Sequence, residues 1–476
     1  MSQARTAAGG LRSLLELAQA DPGFGRLARA LTEGAPGTPV EAGISSGLRP
    51  YLLAALAESD PGLADRPLLV VAPDDRSARD LATELGAYLA PRRVRIYPSR
   101  GTGYESHLAP PPHLVGLRIA ALDALVADDD DGEQPVVVAS AVALAEAVPD
   151  ASLRPAGFAL SRGEEIDLTD VAELLAGSGY ERCEQVTDRG QFAVRGGILD
   201  VFGSTEDRAA RIELFGDEIE SIRYFSTFTQ RSLADAERIE LDPAAEIDPD
   251  HRILAEAALA DAESDAPETP LAELLPTERF SSFLDLIDES TAIVIAASEE
   301  IGPALDDHLT DVHAAIHDED VAQLYVGVSE PLAARALLSI SSKLEGREHG
   351  FQASTPVSAA RSLAEAEPEL EKQLRSGYVT VVAFERIGEA ERAQYALERL
   401  TPAILTDGPA PVSATVLFAE APVADGFVAP SLNLAVIPYR RLVHRRRAAA
   451  PAPSGGRLAS LGDLAAGDHV VHEDHG

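Results

Sequence analysis

The sequence predicts an α/β protein in which a parallel-sheet domain is split by an inserted α+β module and followed by a further small α/β domain. Three observations lead there. Through the first 150 residues, short apolar runs alternate with helix-length segments, the pattern of a parallel sheet covered by helices. Between 151 and 243 strand-like runs follow one another across turn residues, and the alternation resumes from 244. Finally, 476 residues exceed a single ordinary core, so several domains of about 100 to 150 residues each are expected.

Taken in order, residues 12–150 carry an expected helix at 12–20, a first strand leading into a helix at 50–57, and a strand at 67–72. A helix at 77–88, a strand at 94–97, a helix at 114–126 and a strand at 135–139 complete this half. The run Asp128, Asp129, Asp130, Asp131 reads as a solvated loop. Residues 151–243 form the inserted module, in which Gly216 and Asp217 stand between two strand-like runs as a hairpin signal. Residues 244–345 supply the second half of the split domain, with a helix-prone stretch at 255–264, a strand at 292–296 and a helix at 331–344. Residues 346–443 make the further α/β domain, with strands at 378–383, 403–406 and 414–418. The Pro, Ala and Gly content of 444–462 reads as a linker. The stretch 463–476 begins a new element and stops at once, so the chain reads as cut.

Composition narrows the function. Apolar residues at 45% suffice for cores, no stretch has the length or continuity of a membrane span, and the N-terminus lacks a secretory pattern. A cytosolic location is expected. Cys183 is the single cysteine, so neither an internal disulfide nor a cysteine-based zinc cluster can form, and it reads as a half-buried strand residue. A net charge of −38 repels phosphates, so this segment should not grip DNA. Partners with basic surfaces, or local arginine patches on an acidic body, are the better expectation.

A nucleotide-driven motor needs a Gly-rich loop ending in Lys and Ser or Thr. Where one would sit, the chain reads EAGISSGLRPYLLAAL: Gly43, Ser45, Ser46 and Gly47 keep the shape of a loop leading into a helix, but Leu48 stands where the phosphate-binding lysine belongs. The two lysines of the chain, Lys343 and Lys372, lie in no Gly-rich loop. A degenerate, non-functional nucleotide site is expected, with no cofactor in this segment and no catalytic or metal-binding residue. His313 and His317 have metal-ligand spacing, as do His469, His472 and His475, yet each group reads as a solvated face without a cysteine partner. Arg440, Arg441, Arg445, Arg446 and Arg447 could touch phosphate or another protein, or could be a basic linker end.

The most informative stretch is 180–232, containing GQFAVRGGILDVFG and RIELFGDEIESIRYF. A period of two places Arg211, Glu213 and Phe215 on one strand face and Ile212 and Leu214 on the core face. Phe215 on a polar face beside Arg211 fits an interface hot spot; equally, it could fold over its hairpin end or pack beneath a neighbouring domain. Arg195, out of phase with Phe192 and Val194, could join the same patch.

This stretch resembles closely the second domain of bacterial transcription-repair coupling factors, which is itself similar to the UvrA-binding domain of UvrB. Similarity extends to IYPSRGTGYESHLAPPPHLVGLRIAALDAL and GFVAPSLNLAVIPYRRL, and AAGDHVVHEDHG resembles the opening strand of that family's RNA-polymerase-interaction domain. The resemblance implies a split UvrB-like domain at 12–150 and 244–345, a UvrA-binding module at 151–243, and UvrA contact through Arg195, Arg211 and Phe215. It further implies that RNA polymerase and DNA are engaged by downstream domains absent here, that ATP and Mg belong to that missing motor, and that a missing C-terminal domain masks the UvrA-binding face. The chain departs from UvrB in its loop and in the stretch 97–113, too short and aromatic-poor for a DNA-threading hairpin. Rival readings are a stand-alone UvrA-binding regulator and a UvrB-related protein with residual nucleotide binding.

Overall fold

The computed structural model of the chain describes residues 10–34, 37–103, 110–127, 133–247, 277–316, 319–406, 408–411 and 413–444. The loop expected at Asp128 to Asp131, the helix-prone stretch 255–264, His317, the C-terminal histidines and Arg445 to Arg447 all lie outside these residues.

The largest sheet has seven parallel strands, in the spatial order His349–Phe351, Val40–Ile44, Ala336–Ser341, Ala292–Ile295, Leu68–Ala72, Val136–Ser140 and Val94–Tyr97. Strands from before and after the inserted module interleave, since 292–295 and 336–341 sit between 40–44 and 68–72. The sheet therefore exists only when both halves meet. Its central strands are apolar throughout because both faces are covered. Leu68 and Val70 enter one core with the buried helix Arg49–Ala57, while Leu69 and Val71 enter a second on the opposite face.

Two expectations need correction. Residues 331–344 are not one helix: Ser329–Arg335 is helical, and Ala336–Ser341 is a strand of the large sheet. The run ALLSIS suits a helix locally, but pairing with strands on both sides, at 40–44 and 292–295, overrides that preference. The boundary at 345/346 also shifts, because His349–Phe351 pairs with Val40–Ile44 and so belongs to the first sheet. The helix Pro22–Glu33, not foreseen, starts at Asp21, whose carboxylate accepts the amides of Gly23 and Phe24.

The inserted module is a six-stranded sheet in the order Ser232–Ala236, Glu218–Phe225, Ala209–Phe215, Ile198–Phe202, Gln191–Arg195 and Glu181–Arg182, antiparallel except at the last pair. The helix Leu168–Gly177 and the strand pair Phe158–Ser161 with Arg238–Leu241 close its core around Leu175, Leu199 and Ile212. Its exit is anchored by a buried ionic cluster. Arg100 Nε donates to Glu246 at 2.6 Å, and Arg118 donates to Glu146 at 2.7 Å and to Glu246 at 3.2 Å. Arg118 also lies 4.5 Å over the ring of Tyr97. Cys183 is half-buried and free, next to the strand Glu181–Arg182.

The last unit has the strand order Ala403–Ile404, Thr415–Glu420, Val379–Phe384, Leu434–Pro438 and Phe427–Ala429, parallel except for the final pair. One face packs on the helix Arg49–Ala57: Val381, Leu417 and Val436 join the same core as Tyr51, whose ring lies 5.4 Å from that of Phe427. Among the described residues no helix is long and apolar enough to cross a membrane.

Glu84, on the helix Asp75–Leu89, bridges the first and last units by accepting the amide of Ala424 at 3.0 Å. Burial pushes its carboxyl up to about 7 from an ordinary 4.5. A folded-state value above the unfolded one means that this group's contribution is complete below pH 4.5 and is lost as pH rises to about 7. Glu84→Gln is therefore expected to stabilise the chain by up to ~3 kcal/mol in urea unfolding near pH 8, with little effect near pH 4. A difference independent of pH would place the titration elsewhere.

Candidate functional site

Period-two alternation sorts the module's central strand as expected. Ala210 and Ile212 are buried in the core with Leu214 packed against it, while Arg211, Glu213 and Phe215 take the other phase. Phe215 is 80% exposed and ends its strand at the tight turn through Gly216, whose φ of 68° lies in the left-handed region that glycine adopts without strain. A register shift after Glu213 leaves the strand tip paired as Phe215 with Glu218. Beside the ring is a shallow hollow of 540 Å³ formed with Gly163 and Ile219 and rimmed by Arg162, Glu218, Glu220 and Glu237.

Arg195 and Arg211 are brought together by a residue that the sequence reading missed. Asp200 is 2% exposed. It accepts Arg211 Nε at 2.6 Å and Nη2 at 2.8 Å, and Arg195 Nη2 at 3.1 Å. Cross-strand register explains the meeting, since Arg211 lies opposite Asp200 on one side and Asp200 opposite Ala193 on the other. Arg211 is thus not a free surface cation: its guanidinium is clamped, stacks 4.7 Å over Phe225, and is held above the ordinary arginine value chiefly by the Asp200 hydrogen bonds. Arg195 keeps 54% of its side chain exposed. Phe215 stands four residues beyond Arg211, roughly 13 Å along the strand, and does not share the carboxylate. The signal for Asp200 was a single acid inside the apolar run ILDVF.

The loop at 43–48, expected to be a degenerate nucleotide site, is held by the protein's own packing. Ser45 N donates to Phe351 O at 3.1 Å, and Leu48 N to Ser45 O at 2.9 Å. Ser45 Oγ accepts the amide of Ala353 at 3.0 Å. A Cβ on Gly47 would lie 2.4 Å from the carbonyl oxygen of Gly426, and one on Gly43 would lie 2.8 Å from Leu344 Cα and Lys343 O. These glycines serve close packing, and Leu48 is fully buried. The remaining hollow, 260 Å³, is lined by hydroxyls of Ser45, Ser46, Ser342, Ser354 and Thr355.

Residues 158–246 match the UvrB interaction domain. Over 98% of its length the chain is similar to the transcription-repair-coupling factor of Mycobacterium bovis, 30% identical over 542 aligned positions that cover 42% of that protein. The corresponding protein of Bacillus subtilis is 30% identical over 43% of the chain and 17% of its own length. UvrABC system protein B of Thermosipho africanus is 27% identical over 43% of the chain and 32% of its own length. The chain spans about two fifths of the mycobacterial relative, and its similarity is to the UvrB-like N-terminal region of the transcription-repair coupling factors.

Because Asp200 carries two guanidinium groups at a buried position, Asp200→Ala is expected to lower stability by about 3 kcal/mol, through the arginine left unpaired as much as the bonds lost. Urea unfolding reads this directly, and an unchanged midpoint would show that solvent replaces the carboxylate.

Proposed function

We propose that this chain is the UvrA-recruiting adaptor arm of a transcription-repair coupling factor, linking stalled RNA polymerase to nucleotide excision repair. The observation that carries the reading is Phe215, 80% exposed on a tight hairpin of the UvrB interaction domain. A ring held in water gains nothing for the fold, and its return comes when a partner covers it. The Asp200 clamp supports the same reading, because it holds Arg211 in one rotamer and leaves the end of Arg195 exposed, so little ordering remains at contact.

In this reading the segment hydrolyses no nucleotide. The loop amides at 45 and 48 already have protein acceptors, and Leu48 offers no cation to a phosphate. ATP with Mg, the translocase, and the contacts to RNA polymerase and DNA belong to the rest of the protein, as does the domain that masks the UvrA-binding face. The protein works in the cytoplasm.

Phe215→Ala is expected to abolish capture of UvrA by the tagged chain while leaving the thermal melt unchanged; retained capture would move the interface elsewhere. The rival reading, residual nucleotide binding at the hydroxyl-lined hollow, is met by equilibrium dialysis against ATP and Mg. No retention at millimolar ATP is expected, and saturable retention would overturn the non-catalytic assignment.

A further inference from the structure

Arg211 makes a third contact that the Asp200 clamp does not explain. Its Nη2 donates to Gln230 Oε1 at 3.1 Å. Gln230 closes the turn after the strand Glu218–Phe225 in the left-handed conformation, with φ of 58°, rare outside glycine and asparagine. Its amide nitrogens are both used: the backbone N donates to Ser226 O at 2.7 Å, and Nε2 to Thr227 O at 2.9 Å. Ser226 N donates to Arg231 O at 3.0 Å, and Thr229 N to Ser226 Oγ at 3.2 Å. The turn is built rigidly, and at its tip stands Phe228, 95% exposed. Arg231, next to the tip, is exposed and forms no ion pair among the described residues.

We propose that Phe228 is a second aromatic contact of the same interface, received by an apolar pocket of the partner bordered by carboxylates that meet Arg231 and the outer edge of Arg211. The inference rests on the adaptor reading above and extends its footprint. The two aromatics mark opposite ends of the sheet, since Ala209 pairs with Phe225 at one end and Phe215 with Glu218 at the other. Six strand steps of about 3.4 Å, plus the turn, separate them by on the order of 25 Å. A standard interface of roughly 800 Å² per partner is about 30 Å across and takes in both. Charge differs between the two ends: three glutamates and a single arginine, Arg162, line the hollow beside Phe215, whereas the Phe228 end offers Arg211 and Arg231 on a chain of net charge −38. Carboxylates around the second pocket match that end, and Arg211 acts there as a positioning residue that holds the turn through Gln230.

Purified UvrA is titrated against the unaltered chain, Phe215→Ala, Phe228→Ala and Gln230→Gly by fluorescence anisotropy, with melts of each. Phe228→Ala is expected to weaken binding at least tenfold at an unchanged melting temperature. Gln230→Gly keeps the left-handed turn available but removes the tie to Arg211, and is expected to weaken binding by a smaller factor. Binding lost in Phe215→Ala but within twofold of the unaltered chain in Phe228→Ala would overturn this inference and leave the adaptor reading intact. An unaltered chain that does not bind UvrA would overturn both.

Discussion

Four charges buried where the inserted module rejoins the parallel sheet constrain everything beyond them. Glu246, at the module's exit, lies against Arg100 and Arg118, and Glu146, after the penultimate strand of the large sheet, accepts Arg118 Nη1 and the backbone amide of Arg100. Taking such groups out of water costs several kcal/mol per ion, so the cluster stands only when all partners are in place. Their guanidinium partners drive the two carboxylates apart. For Glu146 desolvation prevails and lifts its carboxyl to about 7; for Glu246 burial also acts upward, but the two guanidinium groups outweigh it and hold the carboxyl below its ordinary value. A cluster of this kind adds less to stability than apolar packing would, but it tolerates few alternative arrangements. Here it fixes the root of the module relative to a sheet that neither half of the split domain can complete alone.

The same logic recurs at smaller scale on the module's outer face. Asp200, buried between Leu199 and Val201, requires cations, and Arg211 and Arg195 supply them from the two neighbouring strands. The result is a rigid base from which an exposed ring projects. At the loop 43–48 the last unit packs against the first, with the Gly426 carbonyl filling the space that a side chain at Gly47 would need. The loop is a joint between two sheets. The loop glycines hold units together, and the module's hairpins leave Phe215 and Phe228 exposed.

Much of this was legible in the residues. The apolar runs at 68–72 and 136–140 suit strands of a covered sheet, because burial on both faces matches such segments. The strand at 336–341 was not legible, since ALLSIS is compatible with a helix and became a strand only through neighbours that lie on both sides of the inserted module in the chain. Arg211 was placed on the right face, yet its clamped state was invisible, because the acid that holds it comes from another strand.

What the sequence by itself determined was local and periodic: which side chains of the strand 209–215 turn away from the core, and that no lysine stands in the loop at 43–48. These follow from the two-residue repeat of extended backbone and from the chemistry of the residue types. What only the tertiary structure decided was partnership: Asp200 beneath two arginines, Gln230 tying a turn to Arg211, and Gly47 against Gly426. Those depend on sheet register and on the closure of long chain segments, and no window of neighbouring residues contains them.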